Sequence, residues 1–176
     1  MATTQEWLDE AAAIKSRMLA GGGTAGSATR EMVSGLTGME TLSAMLAGKV
    51  PFASIAQTLD YMLVGVSAGE AVFQGSPTSQ HLNPMGGVHG GWYGTLLDSA
   101  MGCAVHTLMP VGRGYTTAEY SVNLVKAVKP GGLYRTVGKV LHCGKQLATA
   151  EARIVDVDGK LYAHATTTCL VFELPK

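Results

Sequence analysis

Residues 92–105 constrain the fold most, because this stretch lacks a polar stripe. Apart from Cys103 and the phenol of Tyr93, its only ionisable side chain is that of Asp98. A helix on the surface of a globular protein shows a polar face along one side. The sequence therefore predicts one long helix over about 90–108 that other elements of the chain cover on all sides.

Segments that can cover this helix lie on both sides of it in the chain. Residues 62–67 and 71–75 are predicted to form a hairpin before it. After it, alternation of polar and apolar residues predicts strands over 118–125, 134–141, 147–157 and 161–172, arranged as an antiparallel meander. In the first of these strands, one half-buried face is predicted to carry Ala118, Tyr120, Val122 and Leu124. The chain is thus expected to be an α+β domain whose antiparallel sheet wraps a long central helix.

The first 50 residues have a different pattern, with apolar residues at helical spacing. They predict one helix over 4–19 and a second over 29–46, separated by the glycine triplet of residues 21–23. Three glycines end a helix and make a flexible link, and the Gly-Lys-Ser/Thr of a phosphate loop does not follow. We therefore predict a helical N-terminal extension over 1–50 and a main domain over 51–176.

Composition excludes several classes of function. The 176 residues carry 13 basic and 13 acidic side chains without a basic run, which argues against a nucleic-acid partner. No run of about 18 apolar residues suggests a membrane span. Three cysteines without a CxxC pair argue against a metal site or a disulfide scaffold. The N-terminal segment carries acids and lacks the apolar core of a signal peptide, so a cytoplasmic protein is expected.

Asp98 has two interpretations. It can accept hydrogen bonds from a neighbouring strand and simply fix packing, or it can do chemistry. Small residues one turn away, Gly94 and Gly102 among them, predict a groove over the carboxylate. His89-Gly90-Gly91 stands where the helix begins, and a first turn offers unpaired N–H groups. An N–H donor and a carboxylate can polarise and attack an electrophile together.

The motif around these residues resembles that of a known family. It consists of His81, Asn83, Pro84, Gly86, Val88, His89, Gly90, Gly91 and Asp98. This pattern resembles the PaaI-like thioesterases of the hotdog-fold superfamily, whose relatives include phenylacetate-pathway and 4-hydroxybenzoyl-CoA thioesterases. An HGG alone is weak evidence, but Asn six residues before its His and an acid nine after it are more specific. The resemblance runs from about residue 52 to 172.

The resemblance implies a hotdog fold and an acyl-CoA substrate, with an aromatic acyl group as one option. It implies a homodimer or homotetramer with active sites across the dimer interface, and no cofactor beyond the CoA of the substrate. Carried over, the Gly90 N–H polarises the thioester carbonyl, and Asp98 acts as nucleophile or general base. Asn83 lies near the thioester or the attacking water, His89 shapes the site, and Gly91 provides clearance.

One position departs from the family. Aromatic-acyl members often carry a hydroxyl residue one turn after the acid, where this chain has Gly102, and Ser99 is predicted on a different face of the helix. Lys145 and Gln146 occupy a turn where relatives bind the nucleotide end of CoA, and Lys126 is a further candidate for its phosphates. Each of the two lysines is otherwise a solvated surface charge.

Two other functions are compatible with the fold. A hotdog dehydratase or hydratase pairs a catalytic His with an acid elsewhere in the fold, and the His-x8-Asp order argues against it. A non-catalytic acyl-CoA binding or sensing protein has no need of a carboxylate at the carbonyl. Cys103, without a His partner placed by sequence, is interpreted as a core residue rather than a nucleophile.

Overall fold

The computed structural model describes residues 2–175. Its helices are α1 (Thr4–Ala20), α2 (Arg30–Val33), α3 (Gly38–Leu46), α4 (Ser54–Thr58) and α5 (Gly90–His106). Its strands are β1 (Tyr61–Ser67), β2 (Glu70–Gly75), β3 (Arg113–Leu124), β4 (Tyr134–Cys143), β5 (Leu147–Val155) and β6 (Leu161–Glu173). None of the helices within residues 2–175 is long and apolar enough to cross a membrane.

Helix α5 is the centre of the molecule, as its sequence predicts. Leu96, Leu97 and Met101 are fully buried on it. The sheet comes close enough to touch its backbone: a Cβ at Gly138 of β4 would lie 2.3 Å from the carbonyl oxygen of Ala100. A glycine is therefore required at position 138, and the long helix is confirmed as the element that the sheet wraps.

The six strands form one antiparallel sheet in the order β1-β2-β4-β5-β6-β3. The prediction of a four-strand meander is wrong for β3, which pairs with β6 and not with β4. Strand β4 pairs instead with β2, which joins the hairpin to the rest of the sheet. Both edges of β4 are then occupied, so β3 takes the free edge beside β6. The α+β hotdog architecture is confirmed.

The N-terminal helices pack against the hairpin. Helix α1 begins with a capping box of Thr3 and Glu6, and its residues Ala11, Ile14 and Met18 form a buried cluster with Val64 of β1. The predicted second helix over 29–46 is wrong as a single element. It is divided into α2 and α3 at Gly35, whose φ of 82° is left-handed. The domain boundary near residue 50 stays a prediction.

Candidate active site

A cavity of about 750 Å³ lies along one side of α5. Asp98, Ser99, Gly102 and Cys103 line it from the helix, and strands β1, β2 and β3 contribute further wall. Residues of α1 and α3 line it as well. The volume is within the range of about 300–1,000 Å³ that small-molecule pockets occupy. The acid that stands out in the sequence therefore borders a space large enough for a substrate.

Asp98 is held by a residue that the sequence interpretation missed. The Thr117 hydroxyl of β3 donates to Asp98 Oδ1 across 3.0 Å. Strict alternation along β3 puts Thr117 on the face opposite Tyr120, but a register shift between Thr117 and Glu119 turns both towards α5. Such a bulge re-aims side chains next to functional sites. The carboxylate is half-buried and partly oriented by this one hydroxyl.

The glycines on either side of Asp98 make room for two tyrosines of β3. A Cβ at Gly102 would lie 2.8 Å from the Tyr115 hydroxyl oxygen, and a Cβ at Gly94 would lie 3.4 Å from that of Tyr120. The predicted groove over Asp98 is therefore partly filled by strand side chains. Gly102, which departs from the family pattern, has a steric reason: the Tyr115 phenol occupies the space of a side chain there.

Further hydroxyl groups line the same cavity. Ser99 and Tyr61 share a hydrogen bond with 3.0 Å between their oxygens, and both face the cavity. Ser99 follows Asp98 directly and therefore points to a different side of α5, yet both residues line the same cavity. Burial raises the pKa of Tyr61 and raises that of Tyr115 well above its usual value. Both phenols therefore remain neutral donors.

Cys103 also lines the cavity, but its thiol is not activated. Burial, and secondly the charge of Asp98, raise the pKa of Cys103 to about 12. The thiolate is the nucleophilic form of cysteine, and it is scarce at neutral pH when the pKa is this high. The thiol therefore behaves as a small core group. Within residues 2–175, no cluster of three or more His, Cys, Asp or Glu side chains is arranged to hold a metal ion.

The first turn of α5 leaves the Gly90 N–H available for a ligand. His89 is the N-cap, and its Nδ1 accepts a hydrogen bond from the Gly91 N–H across 2.9 Å. The Trp92 N–H donates to the His89 carbonyl oxygen. In the part of the chain that the structure describes, no acceptor pairs with the Gly90 N–H. A Cβ at Gly91 would lie 3.0 Å from His89 Nδ1, so this glycine gives the ring its space.

Asn83 lies in the turn that leads into α5. Its Oδ1 accepts hydrogen bonds from the N–H groups of Met85 and Gly87, at 2.9 and 3.2 Å. The backbone N–H of Asn83 donates to the Gly87 carbonyl oxygen across 2.7 Å. The side chain thus closes the loop before His89, and it is not among the residues that line the cavity.

The site residues fall into two groups within one protomer. Asn83, His89, Gly90 and Gly91 meet at the N-terminus of α5, whereas Asp98 lies two turns further along it. Eight residues of helix separate Gly90 from Asp98 by about 12 Å. The attacking carboxylate must lie about 3 Å from the carbonyl carbon, and the N–H donor about 3 Å from the carbonyl oxygen. Gly90 and Asp98 of the same chain are therefore too far apart to act on one thioester.

The residues predicted to bind CoA are also far apart in one chain. Lys145 and Gln146 are exposed in the β4–β5 turn, where Arg113, the first residue of β3, donates to the Lys145 carbonyl oxygen. Lys126 is exposed just beyond the other end of β3, with its Nζ 5.8 Å from the centre of the Tyr162 ring. A strand of 12 residues spans about 40 Å. One protomer therefore does not bring these side chains to one ligand.

Comparison with known proteins supports the family resemblance. A model described as the thioesterase superfamily matches residues 85–163, which include Gly90, Asp98 and Thr117. A Ralstonia eutropha JMP134 structure described as a thioesterase and phenylacetic acid degradation-related protein is 29% identical, with a TM-score of 0.67. Over this region the chain is similar to the thioesterase superfamily and to a phenylacetic acid degradation-related thioesterase. The family resemblance and the enzyme class, a thioester hydrolase, are confirmed.

Two more solved structures are similar to this chain. The Escherichia coli PaaI protein of the phenylacetic acid degradation operon is 21% identical and has a TM-score of 0.67, with 78% of this chain and 96% of that one covered. A Streptococcus pneumoniae TIGR4 thioesterase solved with coenzyme A is 26% identical over 66% of this chain and 92% of that one, with a TM-score of 0.60. The match to the Ralstonia structure covers 98% of that chain and 74% of this one. No curated protein sequence matches this chain.

Proposed function

We propose that this thioesterase hydrolyses an acyl-CoA to the free acid and CoA, with Asp98 as the group that attacks the thioester carbon or activates water. The observation that carries the proposal is the position of Asp98: it lines the 750 Å³ cavity and is held by Thr117 across 3.0 Å. The Streptococcus relative solved with coenzyme A supports CoA as the carrier of the acyl group.

The chemistry requires little beyond these groups. A thioester carbonyl is already electrophilic, so hydrolysis needs a donor for the developing oxyanion and an oriented carboxylate or water. If Asp98 is the base, it takes a proton from water, the water oxygen bonds to the carbonyl carbon, the carbon–sulfur bond breaks, and the CoA thiolate takes up that proton. If Asp98 is the nucleophile, its oxygen bonds to the carbonyl carbon, the carbon–sulfur bond breaks to give a mixed anhydride, and the CoA thiolate takes up a proton from water. A water molecule then hydrolyses the anhydride, which releases the free acid and restores the carboxylate. We infer that the enzyme uses no metal or further cofactor, and that CoA enters only as part of the substrate.

The oxyanion donor is the Gly90 N–H of a second copy of the chain. Its unpaired state at the first turn of α5 supports this role, and the separation of about 12 Å from Asp98 supports a site in which the two come from different protomers. Strand β3 offers the surface for pairing. It lies at the edge of the sheet, and Tyr120 and Leu124 are 44% and 53% exposed on it. An exposed apolar edge strand is a template for strand pairing.

The other predicted site residues are compatible with a site that two chains share. Asn83 and His89 shape the loop and cap from which the Gly90 N–H projects, which supports positioning roles for both. If two β3 strands pair antiparallel, the start of one lies beside the end of the other. Lys145 and Gln146 of one protomer then approach Lys126 of its partner, and the two lysines together with the Gln146 amide can serve the CoA phosphates. We infer a homodimer, or a homotetramer built from it, in the cytoplasm, which the three free cysteines support.

The experiment that tests the function follows free thiol release from a panel of aromatic and aliphatic acyl-CoAs. Wild type is expected to release thiol from members of the panel, and Asp98→Asn to lose at least about a hundredfold in kcat. If wild type binds acyl-CoA tightly and releases no thiol, the protein is a sensor. If Asp98→Asn is as fast as wild type, the role of Asp98 is wrong although the activity is real.

A further inference from the structure

Helix α1, far from the family motif in sequence, forms part of the wall of the cavity that holds Asp98. Six of its residues face the cavity: Leu8, Ala11, Ala12, Lys15, Met18 and Leu19. Their spacing of three and four residues puts them on one face of the helix. The N-terminal segment therefore contributes a continuous surface to the candidate substrate pocket.

The wall is long and mostly apolar. From Leu8 to Leu19 the helix rises by about 16 Å. Met45 and Leu46 of α3 continue the same surface, and the formal charges that line the cavity are those of Lys15, Asp60 and Asp98. An extended aliphatic chain matches an apolar wall of this length, whereas a single aromatic ring is much shorter. The shape therefore favours an aliphatic acyl group.

Helix α1 is anchored firmly enough to limit the length of a ligand. Arg135 of β4 forms an ion pair with Glu10 across 2.6 Å, and its guanidinium lies 4.5 Å from the centre of the Trp7 ring. Gln74 of β2 donates to the Trp7 carbonyl oxygen across 3.3 Å, and it accepts from Arg135 Nε across 2.9 Å. These contacts join the first turns of α1 to two central strands, so the wall is part of the fold.

We propose that α1 and α3 form the distal wall of the acyl pocket, and that the preferred substrate carries a straight aliphatic acyl chain of medium to long length. This proposal rests on the proposed hydrolysis at Asp98, since the acyl chain must extend from a thioester placed there. The chain lies along the apolar face of α1 with Ala12 beside it. The small side chains of Ala11 and Ala12 leave the space, and α1 sets the longest chain that fits.

The experiment compares Ala12→Phe with Ala13→Phe. Both alanines are exposed on α1, but only Ala12 lines the cavity, so Ala13→Phe controls for the general effect of a large side chain on this helix. kcat/KM is measured with acetyl-, butanoyl-, octanoyl-, lauroyl- and phenylacetyl-CoA, and thermal midpoints establish that both variants are folded. For wild type and Ala13→Phe, kcat/KM is expected to rise about fourfold per methylene as burial increases. Ala12→Phe is expected to lose at least about tenfold with lauroyl-CoA and to keep its rate with butanoyl-CoA.

Binding of laurate, measured by calorimetry, separates this proposal from the function itself. If wild type hydrolyses none of the panel, the proposed function fails. The pocket is still supported if laurate binds to Ala13→Phe and not to Ala12→Phe. If both variants keep the same chain-length profile and the same affinity for laurate, the acyl group lies elsewhere and the proposal is overturned. A wild type that favours acetyl- or phenylacetyl-CoA over lauroyl-CoA also overturns it.

Discussion

The hydroxyl of Thr117 on β3 donates to Asp98 Oδ1 on α5 across 3.0 Å, so the edge strand orients the acid of the central helix. Because β3 is also an edge strand of the sheet, the orientation of Asp98 and the proposed surface for pairing belong to the same element. One strand, β3, thus carries both the hydroxyl that holds the acid of the apolar helix α5 and an exposed tyrosine and leucine.

Thr117→Val removes the hydrogen bond and keeps the shape of the side chain. A hydrogen bond to a charged group contributes about 1.5–3 kcal/mol, so kcat is expected to fall about 10- to 100-fold. Thr117→Ser retains the hydroxyl and is expected to stay near wild type. Steady-state kinetics with the best substrate of the panel checks this. Equal rates for the Val and Ser variants would show that Thr117 does not position Asp98.

The two glycines beside Asp98 are expected to differ in their tolerance of a methyl group. Gly102→Ala places a Cβ 2.8 Å from the Tyr115 hydroxyl oxygen, so it is expected to destabilise the fold by about 1–3 kcal/mol. Gly94→Ala meets Tyr120 at 3.4 Å, an ordinary contact, and gains up to about 1 kcal/mol of helix propensity. Urea unfolding compares the pair. A Gly102→Ala variant as stable as Gly94→Ala contradicts the steric role of Tyr115.

The central helix and most strands could be predicted because their periodicity is local. The position of β3 could not, because the pairing partner of a strand is chosen by which sheet edges remain free, and here β2 occupies the second edge of β4. The break of the predicted 29–46 helix at Gly35 was missed because a single glycine is often tolerated within a helix.

Part of the candidate site could be predicted, since Gly90, His89 and Asp98 follow one another at fixed spacing. Thr117 could not be found this way, because the bulge after it reverses the face that simple alternation assigns. Nor did spacing reveal that α1 lines the cavity. That contact joins residues about 90 positions apart, and only the packing of the N-terminal helices on β1 and β2 brings them together.

Cys103 is expected to be dispensable for the chemistry. With its pKa raised to about 12, the thiol stays protonated at the pH of any ordinary assay. Cys103→Ala is therefore expected to keep kcat within about threefold of wild type, and iodoacetamide at about pH 8 is expected to leave the folded enzyme active. Complete inactivation of wild type by iodoacetamide, with Cys103→Ala inactive as well, would contradict this.

His106 is expected to make the fold sensitive to acid. Burial lowers its pKa below the ordinary value of 6.5, and within the described residues its buried Nδ1 has no hydrogen-bond partner. Below pH 6.5 the unfolded chain takes up a proton that the folded protein does not, so stability falls as the pH falls through 6.5 towards the folded pKa. The thermal midpoint is expected to decrease by a few degrees between about pH 7.5 and about pH 5.5.

His106→Phe is the matched variant, because it keeps a ring against Tyr115, whose centroid lies 5.7 Å from that of the imidazole. In this variant the thermal midpoint is expected to change less between about pH 7.5 and about pH 5.5. The same slope in both proteins would assign the acid sensitivity to other groups.

The account depends most on one claim, that a complete site takes Asp98 from one protomer and the Gly90 N–H from its partner. Gly90→Pro removes the N–H at the first position of α5, where proline is well tolerated, and His89 already has the extended backbone that precedes proline. Gly90→Ala keeps the N–H and serves as the control. Gly90→Pro and Asp98→Asn are each expected to be nearly inactive alone.

Mixing the two inactive variants under conditions that exchange subunits tests the claim directly. Half of the dimers are then hybrids, and each hybrid has one site with both groups intact, so thiol release is expected to recover to about a quarter of the wild-type rate. A mixture no more active than its components would show that each site is built within a single chain, and it would contradict the shared site.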